Sequence, residues 1–332
     1  MKGGPSLPAQ RPSLWIDCDT GIDDALALCF AVGSGAPLLG VSTVAGNCAL
    51  DAASANTLRV LELAGARRTP VHAGAGAPLC GRPPDARAIH GDDGLGGRSD
   101  LLPQARSRLR TEPAAAALAA ALRARPGQVT IIATGPLTNL ALLLALDAGA
   151  AAASRHLVVM GGAAQSPGNV GPTVEFNIGF DPEAAAAVLA GPWPITVVGL
   201  DVTGRVRMGE AEASALDAAR GPVGAFCAAV LRAYAEAYRL QGDRAGAAMH
   251  DPLAVAIGLD GSLVSALQVP VDIELRGALT RGMLVADRRV LERPPLLAGR
   301  RTVQVCIDVD AERARTRLLA GWGATATART QE

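Results

Sequence analysis

Short apolar runs alternate along this chain with longer stretches in which leucine and alanine recur at helical spacing. The runs LWIDC, LLGVSTV, VTIIAT, HLVVM and ITVVGL predict strands, and residues 23–33, 50–64, 113–124, 136–148 and 181–190 predict helices. Strand, helix and strand in succession imply parallel pairing through right-handed crossovers. Strands that are apolar almost throughout suit a sheet covered on both faces. After residue 205 the pattern turns helical, in GAFCAAVLRAYAEAY and HDPLAVAIGL. The alternating runs in LQVPVDIELRG, MLVADRR and TVQVCIDVD then predict an antiparallel extension. The expected fold is α/β, an open, mostly parallel, Rossmann-like sheet flanked by helices. Without a long linker, repeat or charge block, residues 1–332 read as one domain, with 1–13 as a flexible N-terminal extension. The glycine-rich HGDDGLGG (90–97) reads as a mobile surface loop.

Distinctive residues recur where the apolar runs end: Asp17 and Asp19 after the first, Asn47 after the second, Thr134 and Met160 after two later ones. In open α/β sheets the carboxyl ends of the strands are where ligands bind. The first such end, WIDCDTGIDDALAL, holds Asp17, Asp19, Asp23 and Asp24 within eight residues. Carboxylates that close repel one another unless protons or a cation lie among them. Asp17 and Asp19 share a strand face, and Asp23 and Asp24 open a helix, where the dipole favours negative charge. Helix capping explains one or two of the four. An EF-hand loop does not fit, because its sixth and twelfth positions would be Ile22 and Leu28. DCDT is similar to the DxDx(T/V) motif of haloacid-dehalogenase-type magnesium phosphatases, but those need a later lysine and Lys2 is the only one here. That reading stays as the alternative to a hard cation held by carboxylates and a backbone oxygen, facing a neutral polar substrate.

Composition narrows the field. Hydrophobic residues make up 49%, enough for a large core. Basic and acidic residues balance at 31 each and aromatics are 3%, so neither a nucleic-acid nor a membrane-surface partner is expected. Cys18, Cys29, Cys48, Cys80, Cys227 and Cys306 lie far apart, unlike a zinc site or a disulfide framework. No apolar leader is visible, and a cytoplasmic protein is expected. No GxxxxGK(S/T) phosphate cradle occurs, which argues against nucleotides. A non-catalytic nucleoside- or ribose-binding protein is a further alternative, against which the metal-ready carboxylates count.

The pattern DxDxGxDD after an apolar strand resembles the N-terminal signature of the inosine–uridine-preferring nucleoside hydrolase family. VAGN, HGDDGLGG, IIATGPLTNLA, VVMGG, GNVGPTVEFNIGFDPEAA and MHDPLAVA follow, each similar to a family segment, over residues 14 to about 260. Glu175 and Asn177, two apart in a stretch read as extended, can face one side and suit ribose hydroxyls. Asp251-Pro252 reads as an N-cap followed by proline in the first turn. His72 and His156 read as structural.

The resemblance implies one Ca²⁺ per subunit, held by Asp19, Asp24, Asp251 and the Thr134 carbonyl, with a water and the ribose 2′- and 3′-hydroxyls completing its shell. It implies Asp23 on a ribose hydroxyl, and Asn47, Asn169, Glu175 and Asn177 around the sugar. Met160 would pack beside the ribose, Tyr234 and Tyr238 near the base, and Asp17 would orient its neighbours from behind. The implied reaction is hydrolysis of the N-glycosidic bond of a ribonucleoside, in nucleoside salvage. Asp19 would take a proton from water, and His250 would protonate the leaving base, with His90 as a second acid or base. His250 leans toward inosine- and uridine-type substrates, and the family resemblance implies a homo-dimer or homo-tetramer.

Overall fold

The computed structural model describes residues 12–289 and 299–323. Residues 1–11 of the expected N-terminal extension lie outside this range, and Ser13 already belongs to the first strand. The first half of the chain runs β1 (Ser13–Cys18), α1 (Ile22–Gly33), β2 (Leu38–Thr43), α2 (Leu50–Leu63), β3 (Val71–Ala73), α3 (Arg87–His90), α4 (Ala114–Ala124), β4 (Val129–Ala133), α5 (Thr138–Ala152) and β5 (His156–Met160). It continues with α6 (Phe176–Phe180), α7 (Pro182–Leu189), β6 (Ile195–Val198), α8 (Leu200–Thr203), β7 (Arg207–Met208), α9 (Glu210–Ala218), α10 (Pro222–Leu240), β8 (Ala247–Ala248) and α11 (His250–Leu259). The end comprises β9 (Val264–Ile273), β10 (Leu284–Ala286), β11 (Thr302–Val309) and α12 (Ala311–Gly321).

Nine strands form one sheet in the order β10-β9-β11-β6-β5-β4-β1-β2-β3. From β11 to β3 neighbouring strands are parallel, whereas β9 is antiparallel to both β11 and β10. The fold is therefore the expected mostly parallel α/β sheet with antiparallel strands toward its C-terminal end. β11 departs from the simple extension by also joining β6 in parallel. Alternation records which face of a strand is exposed, not which way its neighbour runs.

Each sheet face carries its own core. Leu14 and Ile16 of β1 pack with α1, α10 and α11, while Trp15 packs on the opposite side with α4, α5 and α7. Chain order diverges on either side of β1, with β2 and β3 to one side and β4 to β6 to the other. The crevice beyond the carboxyl ends of β1 and β4 is the topological switch point where open α/β folds take ligands. Asp17, Asp19 and Thr134 arrive there together. Among the described residues no helix is long and apolar enough to cross a membrane.

Candidate active site

The site begins where β1 ends. Asp17 is fully buried; its carboxylate accepts from Ser42 Oγ and from Asn139 Nδ2 at 2.8 Å, and its carbonyl accepts from Thr134 N at 2.8 Å. It thereby ties β2, α5 and the end of β4 to the back of the site. Burial raises its pKa to about 6. Asp19, also fully buried, accepts from the Asn47 backbone N–H at 2.6 Å and from Asn47 Nδ2 at 3.2 Å. Nδ2 of Asn47 reaches Asp24 as well, at 3.1 Å, so one amide spans two carboxylates. The loop can come this close because residue 46 is glycine: a Cβ there would stand 1.9 Å from Asp19 Oδ2.

α1 starts at the turn through Gly21, and Asp24 closes back to accept from Gly21 N at 2.9 Å. Its other oxygen accepts from Thr134 Oγ1 at 2.8 Å. One carboxylate oxygen each from Asp23, Asp24 and Asp251 lies within 4.8 Å of the others, and all three residues are buried. Burial, then the negative neighbours, raises the pKa of Asp19, Asp24 and Asp251, and burial brings Asp23 to about 6. Asp23 Oδ1 is buried with no hydrogen-bond partner among the described residues. Three crowded carboxylates, one with an unsatisfied oxygen, form a donor set that fits a hard divalent cation. The expectation that Asp251 is an N-cap is corrected. α11 begins two residues earlier, at His250 with Met249 as its N-cap, and Asp251 sits in its first turn, where the free N–H groups favour a carboxylate.

Above this cluster lies a cavity of about 220 Å³. Asp23, Asn47, Thr134, Met160, Asn169, Glu175, Asn177 and Asp251 line one part of it, and His90, Tyr234, Tyr238 and His250 also face it. Asp17, Asp19 and Asp24 lie behind that lining. The extended reading of 175–177 gives way to a helix start: Glu175 is the N-cap of α6, with a carboxylate that accepts from Asn177 N, Ile178 N and Gly162 N. Asn177 Nδ2 donates to the Thr134 carbonyl at 2.7 Å and to that of Met160 at 3.2 Å. A carbonyl has two lone pairs, so that of Thr134 keeps one for a further partner. Asn169 fixes its side chain by accepting from Phe176 N at 2.9 Å.

The aromatic end is built by α10. Tyr234 donates to Asp23 Oδ2 at 3.0 Å, and the Tyr238 hydroxyl lies 2.8 Å from His250 Nε2. Nδ1 of His250 is 2.7 Å from Thr203 Oγ1. Burial, then the Arg207 charge, pushes the His250 pKa down to about 3, so the ring is neutral at ordinary pH. His90 is neutral too, pushed down to about 4 by burial. Its Nδ1 accepts from Ile22 N at 3.2 Å, which places its proton on Nε2. The surface-loop reading of 90–97 therefore fails at three positions, His90, Gly94 and Leu95, all buried.

Ser42, Asn139, Asp201 and Thr203 take part in this architecture without having been singled out in the sequence. Thr203 shared the available signal, a polar residue just past an apolar run. Asp85, Val170, Phe176 and Gln241 also line the cavity.

The sequence model described as inosine-uridine preferring nucleoside hydrolase matches residues 14–316. The chain belongs to this family. The match runs well past residue 260, where recognisable motifs end. The inosine-uridine preferring nucleoside hydrolase of Leishmania major is 37% identical over 82% of this chain and 87% of its own. The pyrimidine-specific ribonucleoside hydrolase RihA of Shewanella woodyi is 39% identical over 84% and 88%. Among solved structures, a plant nucleoside hydrolase superposes with a TM-score of 0.89 at 31% identity, covering 95% of this chain and 100% of that one. The purine-preferring ribonucleoside hydrolase of Gardnerella vaginalis gives 0.86 at 29%, over 94% and 98%. This nucleoside hydrolase is an N-ribosyl hydrolase, acting on the N-glycosyl bond of ribonucleosides.

Proposed function

We propose that this nucleoside hydrolase is calcium-dependent and cleaves inosine- and uridine-type ribonucleosides in nucleoside salvage. The carrying observation is the buried group of Asp23, Asp24 and Asp251 beneath a cavity with amide and carboxylate side chains around it and aromatic rings beside it. Asp24 and Asp251 of that group, joined by the neighbouring Asp19 and the Thr134 carbonyl, would hold the ion, an all-oxygen set of the kind Ca²⁺ prefers, and Asp23, the third member, would be left for the substrate. Bound there, the cation supplies positive charge that makes water more acidic and engages vicinal hydroxyls. Asp19, held by Asn47, takes the proton from the attacking water. Asp23 accepts from a ribose hydroxyl, and Asn169 and Asn177 bracket the rest of the sugar. Positive charge that develops on the ring as the glycosidic bond breaks is stabilised by these carboxylates. At the other end the departing base needs a proton. His250 meets Tyr238, and the pair hands the base its proton; solvent replaces that proton and receives the one Asp19 takes from water, so the hydrolysis is proton-neutral. His90 has its Nε2–H left for the cavity. Two relatives named for inosine-uridine and pyrimidine nucleosides support the substrate class.

The described residues lining the cavity include no lysine or arginine. A phosphate would meet several carboxylates there with no cationic side chain to offset them, which disfavours the phosphatase alternative. The test is the 2′-hydroxyl: uridine should be cleaved at least ~100-fold faster than 2′-deoxyuridine, because that hydroxyl is among the groups that Asp23, and the cation when bound, would engage. Equal rates would remove the diol-binding site from the account.

A further inference from the structure

A single turn of helix, α8, touches both halves of the site without lining the cavity. Asp201, on this turn, accepts from three successive backbone N–H groups, those of Ala164 at 2.9 Å, Gln165 at 2.6 Å and Ser166 at 2.8 Å. Leu200 N donates to the Gly162 carbonyl at 2.9 Å. These four bonds fix the start of the segment that leads to Asn169 and Glu175. Its far end is fixed by the bond from Gly162 N to Glu175. The approach requires glycine before the turn, since a Cβ on Gly199 would lie 2.7 Å from the Gly162 carbonyl oxygen and 2.9 Å from Asp201 Oδ2. Two residues beyond Asp201, the fully buried Thr203 presents its hydroxyl to His250 Nδ1 at 2.7 Å. An imidazole has two nitrogens, and the partner of one decides the tautomer and direction of the other. The other nitrogen here meets Tyr238.

We infer that α8 is a positioning element for the hydrolysis: Asp201 holds the sugar-binding segment and Thr203 holds the His250 ring, so one turn sets the ribose and leaving-group ends in register. The inference rests on the roles given above to Asn169 and His250. Its consequences separate by kinetic parameter. Losing the hold on the sugar segment weakens binding of any riboside. Losing the hold on His250 slows departure only of a base that needs a proton.

The test uses the full-length enzyme with calcium and two substrates: uridine or inosine, whichever is cleaved faster, and p-nitrophenyl riboside, whose leaving group departs as a stable anion. Thr203→Val keeps the shape and deletes the hydroxyl. It should lower kcat on the nucleoside about tenfold or more while changing kcat on p-nitrophenyl riboside by less than about threefold, and Thr203→Ser should keep most of the wild-type kcat on the nucleoside. Asp201→Asn should raise KM for both substrates by a similar factor, about tenfold, with a smaller effect on kcat. Equal losses on both substrates for Thr203→Val, no rescue by serine, or an unchanged KM for Asp201→Asn would overturn the inference. His250→Ala separates the two levels. If it discriminates between the substrates and Thr203→Val does not, only the role of α8 fails. If His250→Ala itself does not discriminate, the leaving-group role of His250 fails and that of Thr203 with it.

Discussion

At Asp23, Asp24 and Asp251 the chain gathers negative charge in a space that burial makes hostile to it. Without a cation these groups must share protons or repel, so each costs stability that its function recovers only on binding metal. Asp251→Asn should therefore raise the melting temperature of the chelator-treated protein while lowering turnover by ~100-fold or more. A chelated variant that melts below chelated wild type would show that Asp251 stabilises the fold by itself. The pH dependence follows with a definite sign. Asp17 and Asp23 have pKa values near 6 when folded against 3.8 as the reference. The folded state holds their protons more tightly, so this stability is present below about pH 4 and lost as pH rises through 6. Thermal melts in excess chelator should fall by about 5 °C or more across that window, and calcium should restore most at the upper end. A chelated protein that gains stability from pH 4 to 7 contradicts this. The four aspartates were legible because clustered like charges need a reason. Asn139 was not. A lone polar residue in a helix is unremarkable until folding brings Asn139 to Asp17, 122 positions away in sequence.

The elements divide in the same way. The five strand candidates became β1, β2, β4, β5 and β6 because a run buried on both faces is apolar at most of its positions. β3, only three residues long, was too short to stand out. The direction of β11 depends on neighbours far away in sequence, which local pattern does not report. Loops between elements carry the chemistry, and their glycines record it. Replacing Gly46 with alanine would drive a Cβ into Asp19 Oδ2, so the loop from β2 to α2 must retreat and carry Asn47 with it. Turnover should fall at least ~10-fold, with a far-ultraviolet spectrum like that of wild type. Unchanged turnover would mean that the Asn47–Asp19 contact is dispensable. On α10, Tyr238→Phe removes the hydroxyl partner of His250 and should slow nucleosides by about tenfold while sparing p-nitrophenyl riboside. Equal slowing of both substrates would take Tyr238 out of the leaving-group end.

At the scale of the whole molecule, a mostly parallel sheet whose connections diverge around β1 leaves a crevice at the carboxyl ends of its strands. Into that crevice the fold brings the ends of β1 and β4, the first turns of α1, α6 and α11, and the tyrosines of α10. Fold class and family were readable because motifs scattered over some 250 residues agree in order, and only a fold that brings strand ends together uses them all. The most direct test measures ribose released from inosine, uridine, cytidine and adenosine in phosphate-free buffer, with calcium or with excess chelator. The account predicts release with calcium, fastest from inosine or uridine, and loss of nearly all of it with chelator, reversed when calcium is restored. Ribose released at the same rate in chelator would contradict it.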